Sequence, residues 1–224
     1  MKRKIITTAD GSKTIHLEEW NEQYHSKHGA IQEARHVFIK NGLQYLQTET
    51  ACETVRILEI GFGTGLNAFL SSCEADRLQI AINYQGIEAY PVSEEEIDQL
   101  NYAQLISKDQ DDRFQKLHGS VWEEEVEISP LFKLIKRQQL FSEITDKNAF
   151  NLIFFDAFGP RVQPELWTED IFKKMYDALK DNGILVTYSA KGDVKRALLG
   201  CGFELERLKG PPGKRHMLRA TKKR

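Results

Sequence analysis

The sequence predicts an α/β protein built on a doubly wound, mostly parallel sheet whose last strand runs antiparallel. The apolar run Val55–Ile60 leads directly into closely spaced glycines and then a helical pattern, which is the strand–turn–helix opening of a nucleotide-binding sheet. Two further apolar runs, Ile80–Ile87 and Leu152–Phe155, each end at an acid. The chain closes with two strand-like segments around a Pro/Gly turn, Phe203–Leu208 and Met217–Thr221.

Length and composition indicate a globular protein with one main domain. The chain has 224 residues, of which 41% are hydrophobic and 29% are charged. We expect an N-terminal hairpin and helical extension over residues 1–50, which packs over the ligand site, and a main domain over residues 51–224. The net charge of −2 does not indicate nucleic-acid binding, but Arg207–Arg224 contains eight Lys or Arg and no acid.

Three scattered cysteines, Cys52, Cys73 and Cys201, show no CxxC or His-rich spacing. This pattern predicts no metal site and a reduced, cytoplasmic setting. The N-terminus is basic but lacks the apolar segment of a signal peptide. No run approaches 18 apolar residues, so we expect no membrane span.

The N-terminal extension divides into a hairpin and helices. Alternating apolar residues over 1–17 predict a hairpin with a two-residue turn at Asp10-Gly11. A helical period from Ile31 to Phe38 is expected to stop at Asn41-Gly42, with another helix from Leu43 to Thr50.

The glycine loop has the pattern Glu-x-Gly-x-Gly-x-Gly, from Glu59 through Gly61, Gly63 and Gly65. It is not the dinucleotide fingerprint, because Leu66 stands where the third glycine of that fingerprint is required. The pattern resembles motif I of class I S-adenosyl-L-methionine (SAM) methyltransferases, whose acid faces the methionine end of the cofactor. The resemblance implies their Rossmann-like fold. The helix that follows directs unpaired N–H groups at the loop, which suits a carboxylate such as that of SAM.

Two later positions complete the predicted cofactor site. Glu88 directly follows the second strand, where an acid accepts hydrogen bonds from ribose hydroxyls. Class I methyltransferases also have an adenine-contacting residue after the third strand, and Gln138 is the candidate here.

The candidate catalytic residue is Asp156, which follows the buried run Leu152–Phe155 and therefore lies on the ligand edge of the sheet. An amine attacks a methyl group only as the free base with its lone pair in line, so an acceptor side chain that orients the N–H promotes the reaction. In amino-methylating enzymes an Asp or Asn does this at the same place. Phe158 and Trp167 could pack on the acceptor, although Trp167 also fits a plain core position.

Further segments give a closer resemblance, to the methyltransferase half of the MnmC family, which makes 5-methylaminomethyl-2-thiouridine at the tRNA wobble position. The matching segments are Tyr24-x-Ser26, Gly29–Glu33, Val37–Asn41, Leu58–Asn67, Glu88–Pro91, Phe155–Pro160, Pro164–Thr168, Thr187–Ala190, Val194–Arg196, Cys201–Phe203 and Gly210–Arg215. The chain departs from the family pattern at Val162-Gln163 and at Arg137-Gln138.

The resemblance implies that SAM donates a methyl group to the primary amine of 5-aminomethyl uridine, with Asp156 orienting the amine. It places the cofactor against Glu59, Gly61, Gly65, Asn67 and Glu88, with Tyr24, Ser26 and Glu33 closing over it. The acceptor loop supplies Phe158, Pro160 and Trp167. The basic end, with Lys214 and Arg215, is expected to contact phosphates of the tRNA anticodon region.

MnmC proteins of many bacteria also carry an FAD-dependent oxidoreductase half, which this sequence lacks. We therefore expect a stand-alone methyltransferase whose aminomethyl substrate is supplied by a separate oxidoreductase or pathway. Two alternatives remain open from the sequence. One is a methyltransferase or aminopropyltransferase-like enzyme that acts on a small amine, and the other is a SAM-binding protein without catalysis.

Overall fold

An eight-stranded sheet forms the centre of the computed structural model, which describes residues 2–223. The strands in chain order are β1 (Arg3–Thr7), β2 (Lys13–Leu17), β3 (Glu22–Gln23), β4 (Thr54–Ile60), β5 (Ala81–Ile87), β6 (Glu125–Ser129), β7 (Phe132–Arg137), β8 (Phe150–Phe155), β9 (Leu179–Thr187), β10 (Glu204–Lys209) and β11 (His216–Thr221).

The central sheet has the order β10-β11-β9-β8-β4-β5-β7-β6. Strands β7, β5, β4, β8 and β9 are parallel, and β11 pairs antiparallel with β9, so the predicted fold class is confirmed. The sheet adds one feature at its edge, where β6 pairs antiparallel with β7. Strand β9 contains an irregularity, because Phe150 pairs with Leu179 whereas Leu152 pairs with Ile184.

Helices cover both faces of this sheet. They are α1 (Ala30–Ala34), a π-helical segment (Arg35–Gln44), α2 (Tyr45–Thr50), α3 (Leu66–Leu78), α4 (Glu94–Ile97), α5 (Tyr102–Ile106), α6 (Asp111–Gly119), α7 (Glu169–Ala178) and α8 (Gly192–Gly200), with short 3₁₀ turns at Lys108–Gln110, Phe141–Glu143 and Pro164–Trp167. Along β8, Leu152 and Phe154 belong to one core, whereas Ile153 and Phe155 belong to the other. This double coverage explains why the strand is continuously apolar.

The N-terminal extension contains the predicted hairpin, but its turn is longer and a third strand is added. Thr7 pairs with Lys13, so residues 8–12 connect β1 to β2, and β3 pairs along β2. The Asp10 carboxylate accepts hydrogen bonds from Ser12 and Thr8, which stabilises this longer turn. Whether residues 1–50 form a separable unit stays a prediction.

The predicted helix stop at Asn41-Gly42 is wrong, because the helix continues through both residues as π-helical backbone. A Cβ at Gly42 would lie 3.1 Å from side-chain atoms of Phe154 and Val186. Gly42 therefore allows the helix to approach the sheet closely rather than ending it.

This close approach gives the first testable prediction. Gly42→Val places three carbon atoms against Phe154 and Val186, and overpacking of this kind costs about 1–3 kcal/mol. We expect thermal denaturation to show a melting temperature lower by roughly 3–10 °C. Gly119→Val is the matched control, since a Cβ at Gly119 meets no atom within 4 Å. Equal melting temperatures for the two variants would contradict the packing role.

Within residues 2–223, none of the helices combines the length and the apolar character needed to cross a bilayer.

Candidate active site

The glycine loop turns back over the carboxyl end of β5. The N–H groups of Gly61 and Phe62 donate to the Ile87 carbonyl at 3.1 and 2.9 Å. Gly61 has φ of 89°, and a Cβ on it would lie 2.8 Å from the backbone oxygen of Asp156. The loop therefore contacts the end of β8 directly, and glycine is required both for the backbone angle and for the contact.

Two carboxylates meet at this edge through one amide. Asn67, in the first turn of α3, donates its Nδ2 to Oε1 of Glu59 at 2.8 Å and to Oδ2 of Asp156 at 2.9 Å. Glu59 and Asn67 are each 1% exposed. Because Glu59 ends β4 while Asp156 follows β8, the parallel pairing of these strands brings the acids together. The structure thus joins three of the predicted site residues.

Both acids have pKa values raised well above the ordinary range. Burial is the main cause for Glu59, and the nearby Asp156 and Glu88 add to it. Burial is again the main cause for Asp156, and the charge of Glu33 raises its pKa further, while the Asn67 hydrogen bond and the charge of Lys214 oppose the rise. Asp156 is therefore a stronger base than an exposed aspartate.

The same residues fit the predicted cofactor. In the part of the chain that the structure describes, Oδ1 of Asn67 is buried without a hydrogen-bond partner, whereas Glu59 has the Tyr84 hydroxyl as a neighbouring donor. Oδ1 of Asn67 is an acceptor, so a donor is required to satisfy it. The α-ammonium group of SAM is such a donor. Because glycines have no side chain, the backbone of the loop can approach a ligand closely at this edge.

At the adenosine end of the predicted site, the candidate residues Glu88 and Gln138 form hydrogen bonds that involve the backbone. The Glu88 carboxylate accepts backbone N–H groups from Gly63 and Tyr90, each at 3.0 Å. This fixes the acid at the carboxyl end of β5, beside the loop. Gln138 is exposed directly after β7, and its backbone N–H donates to Glu123 at 2.6 Å. The ribose and adenine roles of Glu88 and Gln138 stay predictions.

A cavity of about 590 Å³ opens beside Asp156. It brings together residues predicted from three distant parts of the sequence, namely Tyr24, Ser26, Glu33, Asp156, Phe158, Pro160, Lys214 and Arg215. We call this space the acceptor cavity. Its position next to Asp156 makes it the place where a methyl acceptor could reach the carboxylate.

The N-terminal wall of the acceptor cavity is attached to the glycine loop. Tyr24 packs edge-on against Phe158 at 4.9 Å between ring centroids, and a Cβ at Gly63 would lie 3.0 Å from the Tyr24 ring. His25 hydrogen-bonds through Nε2 to the hydroxyl of Thr64 at 2.7 Å. Burial lowers the pKa of His25 to about 4, so the imidazole is neutral at physiological pH. Sequence reasoning missed His25, although its place beside Tyr24 was a signal.

The opposite wall contains an ion pair and a tyrosine. Lys214 donates to Oε1 of Glu33, and its ammonium lies 3.8 Å from the centroid of the Tyr188 ring. Lys214 is thus an internal partner, whereas Arg215 is exposed at the rim. The role of Tyr188 was also missed, although its segment was part of the family resemblance.

Trp167 lies behind the cavity rather than in its lining. Its side chain is 4% exposed and packs edge-on against Phe155 at 5.0 Å between ring centroids. Its Nε1 donates to the carbonyl of Phe158 at 2.8 Å, which supports the acceptor loop from the core side. Trp167 therefore occupies a core position, which was one of the two interpretations that the sequence allowed.

Two cations of the basic C-terminal segment are used inside the fold, whereas Arg207, Lys209, Arg215 and Lys223 are exposed. Arg219 is 6% exposed, pairs with Glu206 at 2.8 Å and lies over the Tyr45 ring at 3.3 Å. Lys222 is 8% exposed and donates to the carbonyl of Leu179 at 2.7 Å. These two cations face inward and are not placed to contact a nucleic acid. Among the described residues, no group of three or more His, Cys, Asp and Glu side chains is arranged to hold a metal ion.

Comparisons with known proteins agree with this geometry. An uncharacterized protein of Methanocaldococcus jannaschii is 28% identical over 97% of this chain and 59% of its own length. The tRNA 5-methylaminomethyl-2-thiouridine biosynthesis bifunctional protein MnmC of Delftia acidovorans is 29% identical over 99% of this chain and 35% of its own length. The chain therefore spans 35% to 59% of the length of these curated relatives.

A solved structure, MNMC2 from Aquifex aeolicus, matches with a TM-score of 0.80 at 26% identity, covering 99% of this chain and 70% of that chain. The resemblance to the MnmC family is thus confirmed over nearly the whole chain. A family model described as S-adenosyl-L-methionine-dependent methyltransferase matches residues 101–223. The chain belongs to this family of S-adenosyl-L-methionine-dependent methyltransferases.

Proposed function

We propose that the protein methylates the primary amine of a 5-aminomethyl uridine, with or without a 2-thio group, at the wobble position of tRNA. The observation that carries the proposal is Asp156, which lines the acceptor cavity while its Oδ2 is held by Asn67 beside the glycine loop. The similarity to MnmC proteins supports the choice of substrate. The proposal requires that an oxidoreductase activity or another pathway supplies the aminomethyl group.

The chemistry requires an amine that is uncharged when it attacks. SAM supplies, when bound, a methyl group activated by its sulfonium. Glu59, Gly61, Asn67 and Glu88 are the residues we assign to hold it. Asp156 accepts a hydrogen bond from the amine N–H and takes the proton that the nitrogen releases as the new N–C bond forms and the bond between the methyl group and the sulfonium sulfur breaks. Its raised pKa strengthens it as this base.

Aromatic rings define the entrance for a flipped nucleobase. Trp20 and Tyr24 both pack edge-on against Phe158, with ring centroids at 5.7 and 4.9 Å. A wobble uridine must leave the anticodon stack to reach Asp156, and unstacked bases are bound by aromatic rings in single-stranded RNA recognition. We assign Phe158 and Pro160, which line the acceptor cavity, to this base contact.

The cavity rim supplies cations for RNA phosphates. Lys27, Lys191 and Arg215 line the cavity and are exposed. Two acids of the cavity wall, Glu33 and Glu22, are already paired with Lys214 and Arg161. Within residues 2–223 no acid forms an ion pair with the three rim cations. We propose that these residues, and not the buried cations Arg219 and Lys222, contact the backbone of the anticodon loop.

The direct test is incubation of the protein with isotopically labelled SAM and tRNA that carries 5-aminomethyl uridine, followed by nuclease digestion and mass spectrometry of the nucleosides. The expected product is labelled 5-methylaminomethyl uridine or its 2-thio form. Label found only in a small amine, or no label transfer to RNA despite bound SAM, would refute the proposal.

The rim cations give a second prediction. Affinity for tRNA falls as salt concentration rises. Replacing Lys27, Lys191 and Arg215 together by Gln should make the slope of log affinity against log salt concentration less negative by about 2, because each lost phosphate contact in single-stranded RNA contributes roughly 0.7. Fluorescence anisotropy of tRNA binding across a potassium chloride series measures this slope. The control removes the same number of positive charges by replacing Arg77, Lys133 and Lys173 with Gln. None of these three residues lines the acceptor cavity. An equal loss of slope in both triple variants would contradict a specific rim contact.

A further inference from the structure

The ion pair in the acceptor cavity joins opposite ends of the chain. Glu33 lies in α1 and Lys214 lies in the turn between β10 and β11, 181 residues later. The Glu33 side chain is 8% exposed and that of Lys214 is 33% exposed. The second oxygen of Glu33 accepts the backbone N–H of Ser26 at 3.0 Å. The pair therefore holds the N-terminal wall of the cavity against the C-terminal turn.

Two contacts connect this pair to the loop that carries Asp156. The Lys214 ammonium lies over the Tyr188 ring, and the Tyr188 hydroxyl donates to the carbonyl of Ala157 at 2.8 Å. Ala157 directly follows Asp156. Glu33, Lys214, Tyr188 and Asp156 all line the same cavity. The pair is thus within the immediate surroundings of the proposed base.

A mostly buried ion pair needs a reason other than stability. Removing charges from water is unfavourable, and replacement of a buried ion pair by apolar residues is often neutral or stabilising. We propose that Glu33 and Lys214 are positioning residues for methyl transfer, which close the acceptor cavity and balance opposite charges beside Asp156. This inference rests on the proposed function in assigning the base to Asp156.

The two members of the pair act on Asp156 in opposite directions. Glu33 raises the pKa of Asp156 and Lys214 lowers it, in addition to the effects of burial and of the Asn67 hydrogen bond. The other titratable groups whose charges interact with Asp156 come from four elements or their ends and are Glu59 of β4, Tyr84 of β5, Tyr102 of α5 and Tyr188 after β9. All four side chains are retained in the Glu33 and Lys214 variants, although the charge of Glu33 also raises the pKa of Tyr188.

The test compares Glu33→Gln, Lys214→Met and the double variant. Asp156 must be ionised to accept a proton, so kcat/KM falls as pH falls through its pKa. Protonation of the acceptor amine adds a further fall that is the same for every variant. Glu33→Gln removes a negative charge and should move this acid limb to lower pH by about 0.5–1 unit, whereas Lys214→Met should move it to higher pH by a similar amount. The double variant should lie near the wild type, and Lys214→Arg should retain the wild-type limb.

A second measurement does not depend on the substrate. Carbon-13 NMR titration of the Asp156 carboxyl, assigned with Asp156→Asn, should show the same opposite shifts. Lys223→Met is the control, because Lys223 pairs with Glu204 at 3.6 Å outside the cavity. Shifts of the same sign in both single variants, or no shift, would overturn the inference. If no label passes from SAM to tRNA while the NMR shifts are opposite, the proposed function fails and the charge balance stands. If Asp156→Asn keeps full activity, the assignment of the base to Asp156 fails, and with it the role of the pair in methyl transfer.

Discussion

Asp156→Asn is expected to reduce the rate of methyl transfer by about 1000-fold while SAM still binds. The substitution keeps the shape of the side chain and leaves an oxygen for the Asn67 hydrogen bond at Oδ2. It removes the charge and therefore the base that takes the proton. Because Asn67 holds the one remaining oxygen, an NH2 group faces the amine where the carboxylate oxygen stood. Single-turnover transfer to tRNA measures the rate, and calorimetric titration measures the affinity for SAM.

The control for this variant is Asp193→Asn, which neutralises an exposed acid at the start of α8 that does not line the acceptor cavity. It should retain the wild-type rate. A loss of SAM binding equal to the loss of rate in Asp156→Asn would mean that Asp156 serves the cofactor instead of the amine. A rate within a factor of about three of the wild type would exclude the proposed base role.

Gly61→Ala is expected to weaken SAM binding by more than about tenfold and to lower thermal stability. Alanine at φ of 89° costs roughly 1–2 kcal/mol. In addition, its Cβ would lie 2.8 Å from the backbone oxygen of Asp156, a distance that requires the glycine loop and the end of β8 to move apart. Asn67 links Glu59 of β4 to Asp156 after β8, so the movement separates these two acids as well. Calorimetry with SAM and thermal melting measure both effects.

Variants of two other glycines separate the effect of backbone strain from the effect of the steric contact. Gly11→Ala has a similar backbone angle, φ of 84°, but its Cβ meets no atom within 4 Å. Gly119→Ala has neither strain nor contact. Gly11→Ala should therefore lose some stability and keep SAM affinity, and Gly119→Ala should change neither. If Gly61→Ala resembles Gly11→Ala in SAM affinity, the contact with Asp156 has no part in the cofactor site.

Local patterns predicted the elements of the sheet because each is encoded within a few residues. Alternating residues of β8 go to two different cores, which produces the continuous apolar run that the sequence displays. The predicted end of a helix at Asn41-Gly42 was less reliable. Gly42 was expected to end a helix, but its missing Cβ serves contact with Phe154 and Val186, which lie more than 100 positions away in the chain. Glycine has several structural uses, and only its neighbours in space distinguish them.

Charge was the least predictable property. The basic end of the chain suggested a phosphate-binding surface, yet Arg219 pairs with Glu206 and Lys222 donates to a backbone carbonyl. Lys214 pairs with Glu33, at the other end of the chain. A lysine in a sequence shows that a cation is present and does not show where its partner lies. Exposed cations at Lys27 and Lys191 were correspondingly missed, because they are isolated in the sequence.

The sequence by itself determined the doubly wound sheet, the glycine loop and the position of Asp156 at a strand end, since these depend on periodicity and on local backbone requirements. The tertiary structure decided how the acids are linked through Asn67, which cations remain free at the cavity rim, and that Glu33 and Lys214 face each other beside Asp156. The physical reason is that hydrogen bonds and ion pairs form between groups a few ångströms apart, and the folding of distant segments sets those distances.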